Sequence, residues 1–293
     1  MEFRKELLQA VALLEIRARR DVTSLLSGDY RSAFRGSGMQ FKEFRQYEEG
    51  DDIRHMAWTV TARTGHATVK VYEEERELDV MLMVDVSGSS LFGMGKKRKL
   101  DMYAELIALI GLAAVKSGDK VGIMLFNDSA TFYLPPKRTR SQVLVALTHL
   151  LSQPMQKQKS DLRPALRYAR NVLRNRSIIV IISDFLLPSF DDEFRVLTQR
   201  NEVVLLHCYD DAERGMGLEG VYEICDPETG EFLLLDGNSR HLKQQLTKEH
   251  MDLSDRLESL SKGMNADYLC LSVEDDYLQR LVHFFRQRGP ARL

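Results

Sequence analysis

The chain has 293 residues, of which 44% are hydrophobic, and its 41 basic residues nearly balance its 43 acidic ones. This length and composition predict a soluble protein with one large domain, or one domain with an extension. The net charge of −2 gives no overall field that would attract nucleic acid or an anionic membrane surface, so neither is expected as a partner.

The N-terminal sequence and the cysteines indicate a cytoplasmic protein. MEFRKELLQAVALLEIRARR mixes charges into its apolar positions, unlike a secretory signal. The longest apolar stretch, LIALIGLAAV, is about half of the roughly 20 residues that span a bilayer, so no membrane insertion is expected. The three cysteines, Cys208, Cys225 and Cys270, are far apart in apolar contexts, which predicts buried, reduced thiols.

Residues 1–76 form a predicted N-terminal extension. Apolar residues at helical spacing predict a helix within 3–18, and residues 21–50 show no lasting periodicity. GDDIRHMAWTVTARTG predicts a helix that has Asp51 or Asp52 as its N-cap and ends near Gly65. HATVKVYEEERE then alternates as an exposed strand does.

Residues 77–293 alternate short apolar runs with helical patterns. Strands are predicted at LDVMLMVDV, KVGIMLFN, ATFYL, SIIVIIS, EVVLLHCYD and ADYLCLSV, with helices between and after them. Such an alternation predicts an α/β fold with a doubly wound, mostly parallel sheet that is covered on both faces. GVYEICDPETGEFLLLD interrupts it and predicts an inserted antiparallel hairpin at about 218–236.

Polar side chains follow the predicted strands where a ligand site is expected. In open α/β sheets, ligands bind beyond the carboxyl ends of strands, where the strand order changes direction. Asp85, Ser87 and Ser89 follow the first apolar strand and, two residues apart on extended backbone, point the same way. Asp184 directly follows SIIVIIS, and Ser160 precedes a helical pattern. We therefore expect these five side chains to converge.

Two carboxylates and three hydroxyls form a set of oxygen ligands. Hard cations prefer such ligands, which predicts Mg²⁺, with Mn²⁺ or Ca²⁺ as alternatives. The absence of nearby Cys and His argues against zinc. If the hydroxyls contact the ion and the carboxylates hold its waters, an open position is left for a carboxylate of another protein. Aspartate and serine also cap helices and form turns, so a plain turn remains the alternative.

The pattern resembles a von Willebrand factor A-type domain with a metal-ion-dependent adhesion site. Asp85, Ser87, Ser89 and Asp184 match the residues of that site one by one. Ser160, in KSDLRPAL, stands where the family usually has threonine, and it keeps the hydroxyl. The resemblance implies that the three serines are direct ligands and that the two aspartates act mainly through water.

Residues 36–76 narrow the resemblance to the domain of unknown function 58 family. The matching positions are Gly36, Gly38, Phe41, Arg45, Tyr47, Gly50, Asp51, Arg54, Trp58, Ala62 and Arg63. Proteins of this kind are associated with MoxR-type AAA+ ATPases. The resemblance therefore implies such an ATPase as partner, or another protein that presents an acidic side chain to the metal.

Five further residues are candidates for partner binding. Arg54 and Trp58 lie in the family-specific segment, Lys96 and Lys97 lie in the basic stretch GKKRK, and Asp161 follows Ser160. A basic rim would attract an acidic partner. The alternatives are structural, because GKKRK is typical of a solvated helix start, tryptophan commonly packs in the core, and aspartate commonly caps helices.

These features together predict a non-enzymatic, Mg²⁺-dependent protein-binding module that acts with a MoxR-type ATPase in chaperone-like assembly or remodelling. GKKRK lacks the spacing of a phosphate-binding loop, and no GxSxG surrounds Ser87. Two alternatives remain open. One is a Mg²⁺-dependent phosphatase-like enzyme that uses Asp85 as nucleophile, and the other is a structural scaffold that binds partners without metal.

Overall fold

The computed structural model describes residues 40–73, 78–95, 97–152, 160–225 and 232–287, which contain ten strands and seven α-helices. The helix predicted within 3–18 and the tip of the predicted hairpin lie outside these ranges. The strands are β1 (Gln40–Gln46), β2 (Thr68–Glu73), β3 (Asp79–Asp85), β4 (Lys120–Phe126), β5 (Ala130–Lys137), β6 (Ser177–Ser183), β7 (Glu202–Tyr209), β8 (Val221–Cys225), β9 (Phe232–Asp236) and β10 (Asp267–Ser272). The helices are α1 (Trp58–Thr64), α2 (Lys99–Ser117), α3 (Arg140–Ser152), α4 (Leu162–Val172), α5 (Asp191–Thr198), α6 (Arg240–Gly263) and α7 (Tyr277–Gln287).

Six strands form the central sheet, in the order β10-β7-β6-β3-β4-β5. All neighbouring pairs are parallel except β4 and β5, which are antiparallel. The prediction of a mostly parallel α/β sheet is confirmed. The middle strands are buried on both faces because helices cover each side, which explains their continuous apolar sequences.

Alternate residues of β3 divide the core into two layers. Val80, Leu82 and Val84 pack in the core cluster that contains α2, α3 and α7. Met81 and Met83 pack in the cluster that contains α4, α5 and α6. Successive side chains of a strand point to opposite faces, so one apolar strand contributes to both layers.

Helix α2 is the largest element of the first layer. It ends at Gly118, which adopts the left-handed conformation (φ 97°) that favours glycine at a helix C-terminus. Gly111 allows close contact with α3, because a Cβ built at Gly111 would lie 2.9 Å from Val143 Cγ2. The spacing of the two helices is therefore set by a glycine inside α2.

Strand β5 is one edge of the central sheet and contains Pro135 and Pro136 near its end. The pairing with β4 is irregular between Val121 and Ile123, opposite this part of β5. The Gln142 side chain of α3 donates a hydrogen bond of 2.6 Å to the Pro135 carbonyl. Proline is accommodated at a sheet edge because it has no N–H to donate to a ladder.

The helix predicted from Asp51 or Asp52 to Gly65 forms in two pieces. Asp52 caps a short 3₁₀ helix at Ile53–His55, and α1 ends at Gly65. Between them, Met56 pairs with Val69 of β2 in an isolated antiparallel bridge, so the chain is extended there. Strand β2 forms as predicted but pairs with β1, which the sequence did not reveal, and Val69 is buried rather than exposed.

The predicted hairpin is present as β8 and β9, which pair antiparallel in a separate two-stranded sheet. The expectation of buried thiols is confirmed for Cys208 and wrong for Cys225, which is exposed on β8, while Cys270 is half-buried. All three thiols are free. Among the described residues, no helix has the length and hydropathy that crossing a bilayer requires.

Candidate functional site

The site lies where the strand order of the central sheet changes direction. Strands β3 and β6 are neighbours in the middle of the sheet. The chain leaves β3 for β4 on one side, whereas β7 and β10 follow β6 on the other. Asp85 is the last residue of β3, and Asp184 directly follows β6. Both carboxylates therefore lie at the crevice where ligands bind in open α/β sheets.

Asp85 joins three separate segments of the chain. It is 1% exposed, and its Oδ1 accepts a hydrogen bond of 2.9 Å from the Ser87 amide. Its Oδ2 accepts from the hydroxyls of Ser160, at 2.9 Å, and of Ser183, at 2.7 Å. The predicted convergence of Asp85 with Ser160 is therefore found.

The two serines after Asp85 are adjacent in space. Ser87 Oγ and Ser89 Oγ are 3.1 Å apart. Ser87 is the N-cap of a 3₁₀ helix at Gly88–Leu91, and Ser90 holds this turn by donating from its hydroxyl to the Ser87 carbonyl. The Ser89 hydroxyl also helps to lower the pKa of Asp184, after the larger effect of Lys99, so the first loop lies near the end of β6.

Asp184 is oriented by its own loop and by a lysine. Its Oδ1 accepts from the Leu186 amide at 3.1 Å, and its Oδ2 lies 2.6 Å from Lys99 Nζ. The next residue, Phe185, is buried and has a φ of 55°. A positive φ is unusual for a bulky residue, so the backbone of this loop is strained at Phe185.

Lys99, the first residue of α2, is fully buried beside the site. Its Nζ also lies 2.5 Å from Glu213 Oε1. Glu213 belongs to a 3₁₀ helix at Asp211–Arg214 after β7, and its Oε2 accepts from the Asp210 amide at 2.8 Å. One buried ammonium therefore bridges the carboxylates that follow two neighbouring strands.

The charges of this cluster shift one another's pKa values. Burial and the nearby Asp184 raise the pKa of Asp85 to about 6. Burial alone would raise the pKa of Asp184, but the Lys99 ammonium more than offsets it, and the pKa is lowered. Burial acts to lower the pKa of Lys99, yet Asp184 and Glu213 raise it above its usual value. The pKa of Glu213 is raised by burial, against the effect of Lys99.

The donor set is made of oxygen atoms. Within the described ranges, no group of three or more His, Cys, Asp or Glu side chains is arranged to hold a metal ion. A cation at this edge would have to use serine hydroxyls as well as the carboxylates of Asp85 and Asp184. Such a set suits hard cations and is unsuited to zinc.

The candidates for partner binding lie at separate places. Trp58 is 65% exposed, and Arg54 is exposed and pairs with Asp52. The structural alternative for Trp58, packing in the core, is therefore wrong. Lys97 Nζ lies 3.1 Å from Glu105 Oε1 and from Tyr277 Oη. Lys96 lies outside the described residues.

Asp161 has a local role. It is the N-cap of α4, where its side chain accepts from the Arg163 amide and pairs with the Arg163 guanidinium at 2.7 Å. Its own amide donates to the Asn127 carbonyl at 2.9 Å, which fixes the loop that carries Ser160. The structural alternative of a helix cap is thus found for Asp161.

Three residues of the site were not predicted: Lys99, Glu213 and Ser183. GKKRK was expected to be a solvated helix start, and this is wrong for Lys99. A signal was present, since Lys99 lies three, four and seven residues before Met102, Tyr103 and Leu106, the buried face of α2. A lysine at an apolar helical position indicates a buried counter-charge.

Residues 43–255 match the family described as "Protein of unknown function DUF58". The chain belongs to this family. Uncharacterized proteins of Mycobacterium bovis and Mycobacterium tuberculosis are each 28% identical to this DUF58 protein over 294 residues, which cover 98% of this chain and 92% of theirs.

Two solved structures are similar to part of the DUF58 protein. The conserved hypothetical protein BatB from Bacteroides thetaiotaomicron has a TM-score of 0.46 and 15% identity, covering 72% of this chain and 98% of its own. The pilus adhesin SpaC from Lactobacillus rhamnosus GG has a TM-score of 0.46 and 11% identity, covering 74% of this chain and 30% of its own. The fold assignment rests on the strand order described above.

Proposed function

We propose that this DUF58 protein is a non-enzymatic, Mg²⁺-dependent protein-binding module of the von Willebrand factor A type. Its metal site would comprise Asp85, Ser87, Ser89, Ser160 and Asp184. The observation that carries the proposal is that the Asp85 carboxylate accepts hydrogen bonds from Ser160 and from Ser183, the residue before Asp184. These contacts bring side chains from three loops to one edge of the sheet.

The residues present fit a divalent cation. Asp85 and Asp184 are buried close enough for the charge of Asp184 to raise the pKa of Asp85, and a cation between them would relieve this repulsion. Hydroxyl and carboxylate oxygens are the ligands that Mg²⁺ takes. When bound, Mg²⁺ would offer a position that a carboxylate of another protein can occupy.

The remaining residues of the site would prepare it for that cation. Ser183 holds Asp85 through Oδ2, and Lys99 holds Asp184 through Oδ2. Each contact fixes one carboxylate before any ion arrives, which lowers the entropy lost on binding. Lys99 also adds a positive charge beside Asp184, so the affinity for a divalent cation would be moderate rather than tight.

The identity of the partner rests on the family resemblance. A MoxR-type AAA+ ATPase that presents an Asp or Glu side chain would contact the metal edge, and the complex would act in assembly or remodelling of other proteins. The exposed Trp58 on α1 would supply a second contact surface, since exposed tryptophans are enriched where proteins bind one another.

The test is a pull-down from native cell extract with Mg²⁺ and with EDTA. We would compare wild type with Asp85→Asn, and use Asp79→Asn as a matched control because Asp79 lies at the opposite end of the same strand. A partner that is lost in EDTA and in Asp85→Asn, and retained by Asp79→Asn, supports the proposal. A partner retained under all conditions contradicts it and leaves a metal-independent scaffold.

The same variants separate this proposal from an enzymatic function. Each would be incubated with p-nitrophenyl phosphate and Mg²⁺. Turnover by wild type that is lost in Asp85→Asn would replace the proposal by a phosphatase-like activity.

A second pull-down with Trp58→Ala tests the other surface, and we expect weaker capture of the same partner by a protein of unchanged stability.

A further inference from the structure

A cavity of about 450 Å³ adjoins the edge of the sheet at Asp184, and both Asp184 and Phe185 belong to its lining. Its floor is formed by the carboxyl ends of β6 and β7, its wall by α6, and its roof by the β8–β9 hairpin. Most of its lining is apolar and includes Phe185, Leu187, Leu218, Ile224, Leu235 and Leu253. Both its size and its lining are those of a small-molecule pocket.

The walls of this cavity are held together by specific contacts. Thr247 of α6 donates from its hydroxyl to the Arg214 carbonyl at 2.8 Å. Gly215 has a φ of 79°, and a Cβ there would lie 2.9 Å from Lys243 Cα, so α6 contacts the turn after β7 closely. At the base of the hairpin, the Gly237 amide donates to the Gly220 carbonyl at 2.7 Å. The cavity is therefore part of the packed structure.

Three rings form a polar cluster within the cavity. The His250 ring lies 4.3 Å from the Tyr209 ring and 5.4 Å from the His207 ring, measured between centroids. His207 is 1% exposed, and its Nδ1 lies 2.8 Å from Tyr268 Oη. Among the described residues, no side-chain hydrogen bond involves the His250 imidazole or the Tyr209 hydroxyl. Polar groups are thus available to a ligand.

The available groups of the cavity are uncharged at neutral pH. Burial and the neighbouring His250 lower the pKa of His207 to about 3, and burial and Arg214 lower the pKa of His250. The two acidic groups of the inner wall, Asp184 and Glu213, are already paired with Lys99. Glu249, the third acidic group of the lining, is exposed and accepts a hydrogen bond from Gln245, so water screens its charge. A charged ligand group inside the cavity would therefore lose its hydration and gain no buried counter-charge.

We propose that the cavity binds a small, uncharged aromatic molecule that carries one hydroxyl group. The aromatic ring would pack against Phe185, Tyr209 and His250, because aromatic rings pack favourably edge to face or offset. The hydroxyl would meet the neutral imidazoles, since both a hydroxyl and a neutral imidazole donate and accept hydrogen bonds. Entry is from the exposed side at Leu186, which is 54% exposed.

The experiment uses p-cresol as the probe, with the full chain at pH 7.5 in EDTA. Toluene lacks the hydroxyl, and p-toluate and 4-methylbenzylamine replace it by a negative or a positive charge. Binding is measured by ligand-observed NMR titration. We expect p-cresol to bind about threefold or more tightly than toluene, the effect of one net hydrogen bond, and the two charged probes to bind more weakly than toluene.

Two substitutions on the same helix locate the binding. Leu253→Trp places a large side chain in the cavity and should abolish binding of p-cresol and toluene. Met251→Trp is the matched control, because Met251 is exposed on α6. His250→Phe keeps an aromatic ring and should remove the preference for p-cresol over toluene. Circular dichroism and thermal unfolding establish that each variant is folded.

Three results would overturn the proposal. They are no binding of p-cresol by wild type, equal binding by folded Leu253→Trp and Met251→Trp, and binding of a charged probe as tight as that of p-cresol. EDTA is present throughout, so these measurements do not depend on the proposed metal. Either proposal can therefore fail without affecting the other.

Discussion

The Nζ atom of Lys99 lies 2.6 Å from Oδ2 of Asp184, and the two side chains are 0% and 3% exposed. The same ammonium contacts Glu213, so one buried cation serves two carboxylates. A buried charge without its partner is strongly unfavourable, because the interior does not replace the lost hydration. Lys99 therefore supports both the edge of the sheet at Asp184 and the wall of the neighbouring cavity.

Lys99→Met tests this support. We expect the free energy of unfolding in urea to fall by about 3–5 kcal/mol, because Asp184 and Glu213 would stay buried without their counter-charge. Lys97→Met is the control, since Lys97 pairs with Glu105 while 41% exposed and should change stability by about 0–1 kcal/mol. Adding Glu213→Gln to Lys99→Met should recover part of the loss. Equal stability of Lys99→Met and wild type would refute the role of this ion pair.

Magnesium should stabilise the folded protein if the proposed site binds it. A ligand at one hundred times its dissociation constant adds about 2.7 kcal/mol to the free energy of unfolding, and the midpoint of thermal unfolding rises accordingly. We expect this rise in wild type and Asp79→Asn and not in Asp85→Asn. If Mg²⁺ raises the midpoint of all three equally, it acts elsewhere than on Asp85.

Stability should depend on pH through His207. The pKa of His207 in the folded protein is about 3, below the ordinary value of 6.5. Between pH 6.5 and pH 3, His207 is therefore protonated in the unfolded chain and neutral in the folded protein. The contribution of His207 to the free energy of unfolding therefore falls as the pH drops below 6.5, with a limiting slope of about 1.4 kcal/mol per pH unit. Asp85, whose pKa is raised to about 6, contributes in the opposite direction as the pH falls below 6. His250, whose pKa is also lowered, adds to the loss. Asp184 and Lys99 also influence the pKa of His207.

The variant that tests this dependence is His207→Gln. It should reduce the slope of the free energy of unfolding between pH 6 and pH 4, measured in urea at each pH, relative to the exposed-site control His283→Gln. His207 Nδ1 contacts Tyr268 Oη and Cys270 Sγ of β10. A glutamine amide would offer these two groups a polar partner that does not titrate. An unchanged slope in His207→Gln would contradict the prediction.

Two glycine substitutions distinguish packing from helix propensity. In a helix interior, alanine is more favourable than glycine by about 1 kcal/mol, so helix propensity alone would make Gly→Ala stabilising. Gly111→Ala should nevertheless destabilise the protein by about 1–3 kcal/mol, because the new Cβ would lie 2.9 Å from Val143 Cγ2. Gly263→Ala at the end of α6 meets nothing within 4 Å and should be neutral or stabilising. Thermal unfolding of both variants measures the difference, and a stabilised Gly111→Ala would show that α2 and α3 are less tightly packed.

The central sheet was predictable because its strands are buried on both faces. Continuous apolar runs such as SIIVIIS, with helical patterns between them, are typical of the strands of a covered parallel sheet. The convergence of Asp85, Ser160 and Asp184 followed from the rule that ligand sites lie at the carboxyl ends of strands. Strand β1 was not predicted because QFKEFRQ has no strong hydrophobic period, and most of its described side chains, at 43–46, are exposed.

The charged neighbours of the site were harder to predict because they depend on contacts between distant residues. Lys99 lies in a basic stretch that is typical of solvated surface, and only its helical spacing from Met102 and Leu106 indicates burial. Glu213 is separated from it by 114 positions in the sequence. The division of the predicted helix around Met56 likewise depends on Val69, which follows α1 in the sequence and pairs with Met56.

The two prolines at the end of β5 make this part of the sheet edge a poor template for an added strand. An edge strand with free N–H and C=O groups can pair with the edge of another molecule and so begin aggregation. Pro135 and Pro136 lack the N–H groups for such a ladder, and Gln142 occupies the Pro135 carbonyl. A strand of another molecule cannot extend the sheet at this end of β5. We therefore expect no aggregation that starts from this end, even at high protein concentration.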